Sequence, residues 1–166
     1  METATAISAF EALFDASFET MKRLAYLLGA DDPENIAQEA FVRLHLRWSS
    51  LAADKVLPYL RRIVVNLSRS RHRHLRMARR APVGTVPDEP SAESHALANA
   101  EHRSLRAALT ALPQRQRQVL VLRYWLDLDQ AEIADTLGIA IGTVKATTNH
   151  ALANLRKAWP DKEVDS

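Results

Sequence analysis

The sequence has 166 residues, room for one ordinary domain or two small ones, and its 47% hydrophobic and 25% charged content is that of a globular chain. Cysteine is absent, which excludes disulfides, thiolate metal sites and cysteine nucleophiles. The 22 Lys and Arg nearly balance the 20 Asp and Glu, yet residues 1–40 hold eight acids whereas residues 61–80 hold eight arginines and no acid. An acidic first quarter and a basic second quarter imply two different kinds of partner surface. No apolar run approaches the roughly 18 residues of a membrane span. Met1-Glu2-Thr3-Ala4 lacks the basic and apolar stretches of a secretory signal, so the expectation is a cytoplasmic protein. Only 4 Gly and few β-branched runs point to a mostly helical chain.

The apolar spacing is helical almost throughout. Ile7, Phe10, Phe14, Phe18, Met21, Ala25 and Leu28 recur at three- and four-residue steps and define a long amphipathic helix that stops at Gly29. Asp32-Pro33 reads as an N-cap followed by proline at the first helical position. Ile36, Ala40, Leu44 and Trp48, flanked by Ala37 and Phe41, form the stripe of a second helix. A loop is expected from Ser49 to about Lys55, and then a third stripe of Val56, Leu60, Ile63, Val64 and Leu67 runs into the arginines. Residues 81–96 contain Pro82, Pro87 and Pro90 and read as a linker able to span about 50 Å at roughly 3.3 Å per residue. Leu97 to Leu112 is amphipathic and halts at Pro113, and another helix follows through Val119, Leu120, Leu122 and Tyr124. Asp129 and Glu132 then have the spacing of a capping box.

From Gln130 the spacing matches a helix-turn-helix. Ala134 is small where two helices approach, Gly138 falls where the turn needs a positive φ, and Val144 falls where the second helix packs back. Ile133, Leu137 and Ile139 fill the space between. An ordinary helical hairpin has the same outline, but small, glycine and branched residues all in register favour DNA binding, with the second helix in the major groove. With Val144, Thr148, Leu152 and Leu155 inward, that helix exposes Lys145, Ala146, Asn149 and His150, of which Asn149 can pair with adenine and Lys145 with guanine or phosphate. Arginine clusters neutralise phosphates and release counterions, although a solvated helix face or a surface for RNA or acidic lipid has the same composition. Trp48 and Tyr59 have the chemistry to stack on bases, and equally that of core residues at helix ends.

Other constellations fail. His72 and His74 point in different directions on a helix and sit among arginines, and Glu39 and His45 are six apart, so no metal or other cofactor is expected. No Gly-rich phosphate loop or Ser/His/Asp arrangement is present, and no enzyme is expected.

Asp32-Pro33-Glu34-Asn35-Ile36-Ala37-Gln38-Glu39-Ala40-Phe41 resembles the DAEDxxQExF signature of region 2.2 in extracytoplasmic-function sigma factors of the sigma-70 family. Tyr59-Leu60-Arg61-Arg62-Ile63-Val64-Val65-Asn66 with Arg73 is similar to the WLxxIAxN…R pattern of regions 2.3 and 2.4. Leu109 to Arg117, Glu132-Ile133-Ala134, Leu137-Gly138 and Gly142-Thr143-Val144-Lys145 resemble region 4. The pairs Thr147-Thr148 and Ala151-Leu152 resemble the SigE-like subgroup.

The resemblance implies an all-α protein of two small helical domains: region 2 over residues 1–80, the proline-containing linker 81–96, and region 4 over 97–160. It implies core RNA polymerase as partner, with the clamp meeting Asp32, Glu34, Asn35, Gln38 and Glu39 and the flap meeting the apolar surface of region 4. It implies promoter DNA as the other partner. The −10 element is then read by the segment 49–55 and the helix bearing Asn66, Arg69, Arg71, Arg73 and Arg76, with a base extruded into a pocket. The −35 element falls to the helix from about Ile141, through Thr143, Lys145, Ala146, Thr147, Asn149 and His150. An anti-sigma factor is a common further partner in the family, and a monomer suits the asymmetric plan.

Several positions depart from the pattern. Asn35 and Ser70 replace the usual Asp residues, Tyr59 replaces Trp, and Ala146-Thr147-Thr148-Asn149-His150 replaces S-R-L-x-R. Ala140 replaces the usual Ser cap, at a cost of about 1 kcal/mol. The rival readings are a free-standing helix-turn-helix regulator that binds operator DNA as a dimer, and an arginine-rich RNA-binding or structural protein. The acidic segment 32–41 separates them, because a repressor has no use for it.

Overall fold

The computed structural model describes residues 1–80 and 100–159, the side chains of 71–80 and of Glu101 excepted. The expected linker 81–96 lies outside the described residues, as do the side chains of Arg71, Arg73, Arg76, His72 and His74. Among the described residues every regular element is helical, as the apolar spacing requires.

Helix α1 (Glu2–Leu27) ends where Gly29 adopts φ +94°, a conformation closed to most side chains. Helix α2 (Pro33–Arg47) returns antiparallel and buries Ile36, Ala37, Ala40, Phe41 and Leu44 against it. At 1.5 Å per residue α1 is about 17 Å longer than α2, so its first turns overhang. Ile7, expected on the buried stripe, is therefore exposed, and coverage begins at Phe10, edge-on to Trp48 at 5.3 Å. Asp32 is the cap residue of α2, but its side chain makes no cap hydrogen bond; its Oδ2 instead accepts from Asn35 Nδ2 at 3.3 Å.

The expected loop 49–55 is shorter than the sequence suggested. A 3-10 turn (Trp48–Ser50), in which Ser50 Oγ donates to the Arg47 carbonyl, leads into helix α3 (Ala53–Arg80). Val56, Leu60, Ile63, Val64 and Val65 of α3 complete a three-helix core with α1 and α2.

The second group holds α4 (Ala100–Thr110), α5 (Gln114–Leu120), α6 (Gln130–Leu137) and α7 (Ile141–Ala158), with α7 packed on α5 and α6. A π-helical turn (Val121–Trp125), in which Leu126 N–H reaches the Val121 carbonyl, follows α5. The additional residue in that turn swings Tyr124 and Trp125 outward, and Tyr124 is 63% exposed. Arg117 is buried and donates to the carbonyls of Leu109, Thr110 and Leu112, satisfying the end of α4 from within.

The two groups touch along a seam. The C-terminal end of α1 packs on α4 and the π-helical turn, and α3 packs on α6. Arg106 and Arg117 donate across the seam to carbonyls at and just beyond the end of α1, and Arg62 donates to the Asp135 carbonyl.

Candidate nucleic-acid and polymerase interfaces

The helix-turn-helix is built by local chemistry. Asp129 Oδ1 accepts from Glu132 N–H and Glu132 Oε2 accepts from Asp129 N–H, both at 2.8 Å, closing the expected capping box on α6. Gly138 adopts φ +66°, and Ile139 N–H returns to the Ala134 carbonyl at 3.0 Å, which turns the chain into α7. Ile133, Ala134, Val144 and Ala151 are buried between the helices. Thr148 Oγ1 donates to the Val144 carbonyl, and Asn154 Nδ2 donates to Gln116 Oε1, tying α7 to α5.

This packing fixes which side of α7 faces water. At 100° per residue, Gly142, Lys145, Ala146, Asn149, His150 and Ala153 lie on one continuous exposed side, with Thr143 at its edge. Thr147 is half-buried just beyond Thr143 on the same margin, and Leu152 and Leu155 are half-buried. Ala140 gives α7 no side-chain cap, so its first amide N–H groups remain open to a phosphate oxygen.

Helix α3 offers a second surface. Arg62, Asn66 and Arg69 are exposed and spaced by four and three residues, so they form one row. The neighbouring Arg61 guanidinium is pushed below its ordinary pKa by burial, an effect that Glu132 of α6 opposes. It stays a cation at neutral pH. Tyr59 and Trp48 are half-buried, and Trp48 packs on Phe10 as a core residue does.

Helix α2 offers the third. Glu34, Asn35 and Gln38 carry the polar part of this surface, with Asp32 and Glu39 at its edges. Glu39 Oε1 accepts from Arg43 Nη2 at 2.9 Å. The same side carries two apolar residues that the periodicity alone does not single out, Val42 at 60% and Leu46 at 76% exposure. On a helical projection Glu34, Gln38, Val42, Asn35, Leu46 and Glu39 span only about 140° of the circumference. Both apolar residues fall off the Ile36/Ala40/Leu44/Trp48 stripe, and that was the available signal. An acid-edged apolar strip on a rigid helix is a protein-docking surface in composition.

The described residues contain no group of three or more potential ligands that would hold a metal ion, and no helix long and apolar enough to cross a membrane.

Residues 102–155, the α4 to α7 segment, match the family model for sigma-70, region 4. The chain is 34% identical over 139 residues to an RNA polymerase sigma-E factor of Streptomyces antibioticus, covering 81% of this chain and 74% of that one. It is 30% identical over 172 residues to the ECF RNA polymerase sigma factor SigW of Bacillus subtilis, covering 92% and 90%. Its fold matches CnrH, solved in complex with the cytosolic domain of CnrY, with a TM-score of 0.72 at 22% identity over 96% of both chains. The Bartonella quintana sigma factor RpoE, solved with the anti-sigma factor NepR, matches with a TM-score of 0.70 at 18% identity over 93% of this chain and 99% of that one. Identity at this level across most of both sequences, with the helix-turn-helix inside the matched region, places the chain in the family of ECF RNA polymerase sigma factors.

Proposed function

We propose that the chain is a transcription initiation factor that binds core RNA polymerase and directs it to promoters, acting in the cytoplasm by binding rather than by catalysis. The observation that carries this reading is the presence of three complementary surfaces on one chain. These are the acid-edged apolar strip of α2, the cationic row of α3, and the open side of α7 within the segment that matches region 4. An operator-binding dimer has no use for the first of them.

In this reading residues 1–80 are region 2 and residues 97–160 region 4. Asp32, Glu34, Asn35, Gln38 and Glu39, together with Val42 and Leu46, meet the polymerase clamp. Asn66, Arg69, Arg71, Arg73 and Arg76 engage the downstream element, where phosphate contacts position the strand and base contacts specify it. Thr143, Lys145, Ala146, Thr147, Asn149 and His150 meet the upstream element, Asn149 by bidentate pairing and Lys145 as a cation. Between Ile141 and Leu155 Lys145 is the one formal charge, so α7 gains little from non-specific attraction and depends on its tether to polymerase. An anti-sigma factor is a further partner in this reading, supported by the Bartonella relative solved with one.

The test is association of the purified chain with core polymerase, measured by titration. Nanomolar binding that Leu46→Asp abolishes, with unchanged circular dichroism, is expected. No binding by the folded wild-type chain would defeat the proposal.

A further inference from the structure

Three glycines fall among the described residues, and the fold accounts for two of them. Gly29 and Gly138 hold φ at +94° and +66°, where a side chain is strained. Gly142 is different. It lies in the first turn of α7, outside that positive range, and a Cβ built on it meets nothing within 4 Å. Alanine there would be the better helix former and would touch no other part of the chain. Neither backbone conformation nor packing requires a glycine, so the room that it leaves serves something outside the chain.

Gly142 also sits in the middle of the exposed side of α7. At 100° per residue Asn149 and Ala153 lie about 20° to either side of it, Ala146 about 40° away and Lys145 about 60° away. Ala146, its i+4 neighbour, is exposed, so positions 142 and 146 form a shallow notch walled by a methyl group, with no hydrogen-bonding side chain of their own. The large apolar residue exposed on this helix, Ile141 at 48%, lies about 100° from Gly142 at the edge of the same side.

A helix with its side chains is about 10–12 Å across and the major groove about 12 Å wide, so the residues in the middle of the entering side decide how deep it goes. The apolar group that the groove floor presents is the C5-methyl of a pyrimidine, and alanine is among the side chains that pack on it. Bare backbone and a methyl offer nothing to a hydrogen-bonding base edge. They fit a methyl.

We propose that Gly142 and Ala146 read the C5-methyl of a pyrimidine in the upstream element, as specificity-determining residues beside Asn149. The presence of DNA on α7 rests on the promoter reading above; the group recognised is what the notch adds. Asn149 stands about 7–8 Å further along α7 than the notch, about two base-pair steps of 3.4 Å. The methyl therefore belongs within two or three base pairs of the adenine that Asn149 takes. Thymine and 5-methylcytosine both carry it, and neither Gly142 nor Ala146 has a side-chain group that senses the O4 or N4 atom separating them.

The test uses the full chain with core polymerase. An upstream element is selected from a randomised promoter library, and duplexes are made with each thymine in turn replaced by deoxyuridine. Loss of one packed methyl is expected to lower affinity about fourfold at one thymine and to change little at the others. Cytosine and 5-methylcytosine are then compared at that position. An equal response makes the methyl alone the ligand and a response confined to thymine makes thymine the ligand, and both support the proposal. Gly142→Ala fills the notch without a clash inside the chain, so its melting temperature should be unchanged or higher. Its holoenzyme should bind the thymine duplex no better than the deoxyuridine one. Ala146→Gly should lose the methyl response as well, whereas Ile141→Ala should keep it. A methyl response that survives in Gly142→Ala, or one that Ile141→Ala removes, overturns the proposal. A shared upstream element with no methyl-sensitive base defeats this proposal alone. A selection that yields no shared upstream element defeats the promoter reading and this proposal with it.

Discussion

Replacing Arg117 tests how the second helical group is held together. The residue is 3% exposed and its guanidinium donates to four carbonyls, those of Leu28, Leu109, Thr110 and Leu112, at 3.0–3.1 Å. Burial and then the nearby Arg106 push its pKa down, so the folded chain holds this cation at some cost. A hydrogen bond from a charged group contributes about 1.5–3 kcal/mol net, and a buried carbonyl left without a donor costs about 1–3 kcal/mol. Recovering the desolvation of the cation offsets a large part of the four-bond sum. Arg117→Met, which keeps the packing and removes the donors, should therefore destabilise by about 3 kcal/mol. That corresponds to a fall in Tm of roughly 6–12 °C for a chain of this size. Arg117→Lys should lose less, because an ammonium keeps charge but cannot serve four carbonyls set around a planar fork. The sign of the linkage follows from the lowered pKa: the folded state binds this proton less tightly than the unfolded chain, so proton binding would shift stability only at strongly alkaline pH. The loss should be the same at pH 6 and pH 8. Urea denaturation followed by circular dichroism measures it. A loss below about 1 kcal/mol would refute the view that this cation organises the ends of α1 and α4.

Three further outcomes are expected. Glu39→Lys should weaken binding to core polymerase at least tenfold while costing the fold only about 0.5–1 kcal/mol, the loss of its i,i+4 pair with Arg43 plus the like-charge repulsion that replaces it, as titration and thermal melting would show. Replacing Arg69, Arg71 and Arg73 by Ala should lower affinity for every promoter and reduce the slope of log K against log salt by about 0.7–0.9 for each phosphate no longer neutralised; an unchanged slope would make them a solvated face. Asn149→Ala should relax preference at one or two base pairs, at about 1–3 kcal/mol for the best site, whereas Lys145→Ala should weaken matched and mismatched sites more evenly, as binding to a panel of upstream-element variants would show.

What the sequence disclosed was whatever local chemistry determines. The capping box at Asp129 and Glu132, the positive φ of Gly138 and the burial of Val144 follow from residue types at fixed offsets, and the structure has them. The apolar stripes of α1, α2 and α3 were equally legible, because periodicity reports burial directly. Features that depend on length mismatch or on distant parts of the chain were not. Ile7 is exposed because α1 outruns α2, which no residue near Ile7 records. Tyr124 turns outward because of one additional residue in the turn after α5, and a pattern read at a fixed 3.6-residue period cannot register that slip. The early start of α3 at Ala53 followed from the 3-10 turn of Trp48–Ser50 absorbing part of the expected loop. The seam was invisible for a simpler reason. Arg106 meets Tyr26 and Ala30 across 80 and 76 residues of chain and bonds only backbone carbonyls, which carry no sequence signature.

The central claim is that this chain confers promoter selectivity on RNA polymerase. It is tested most directly by transcription in vitro from a randomised promoter library, with core polymerase alone and with the chain added. The expected result is that adding the chain enriches transcripts from templates sharing two short elements about 25 base pairs apart, and that Asn149→Ala relaxes only the upstream one. Transcription that the chain does not change, or enrichment that shows no shared sequence, would contradict it.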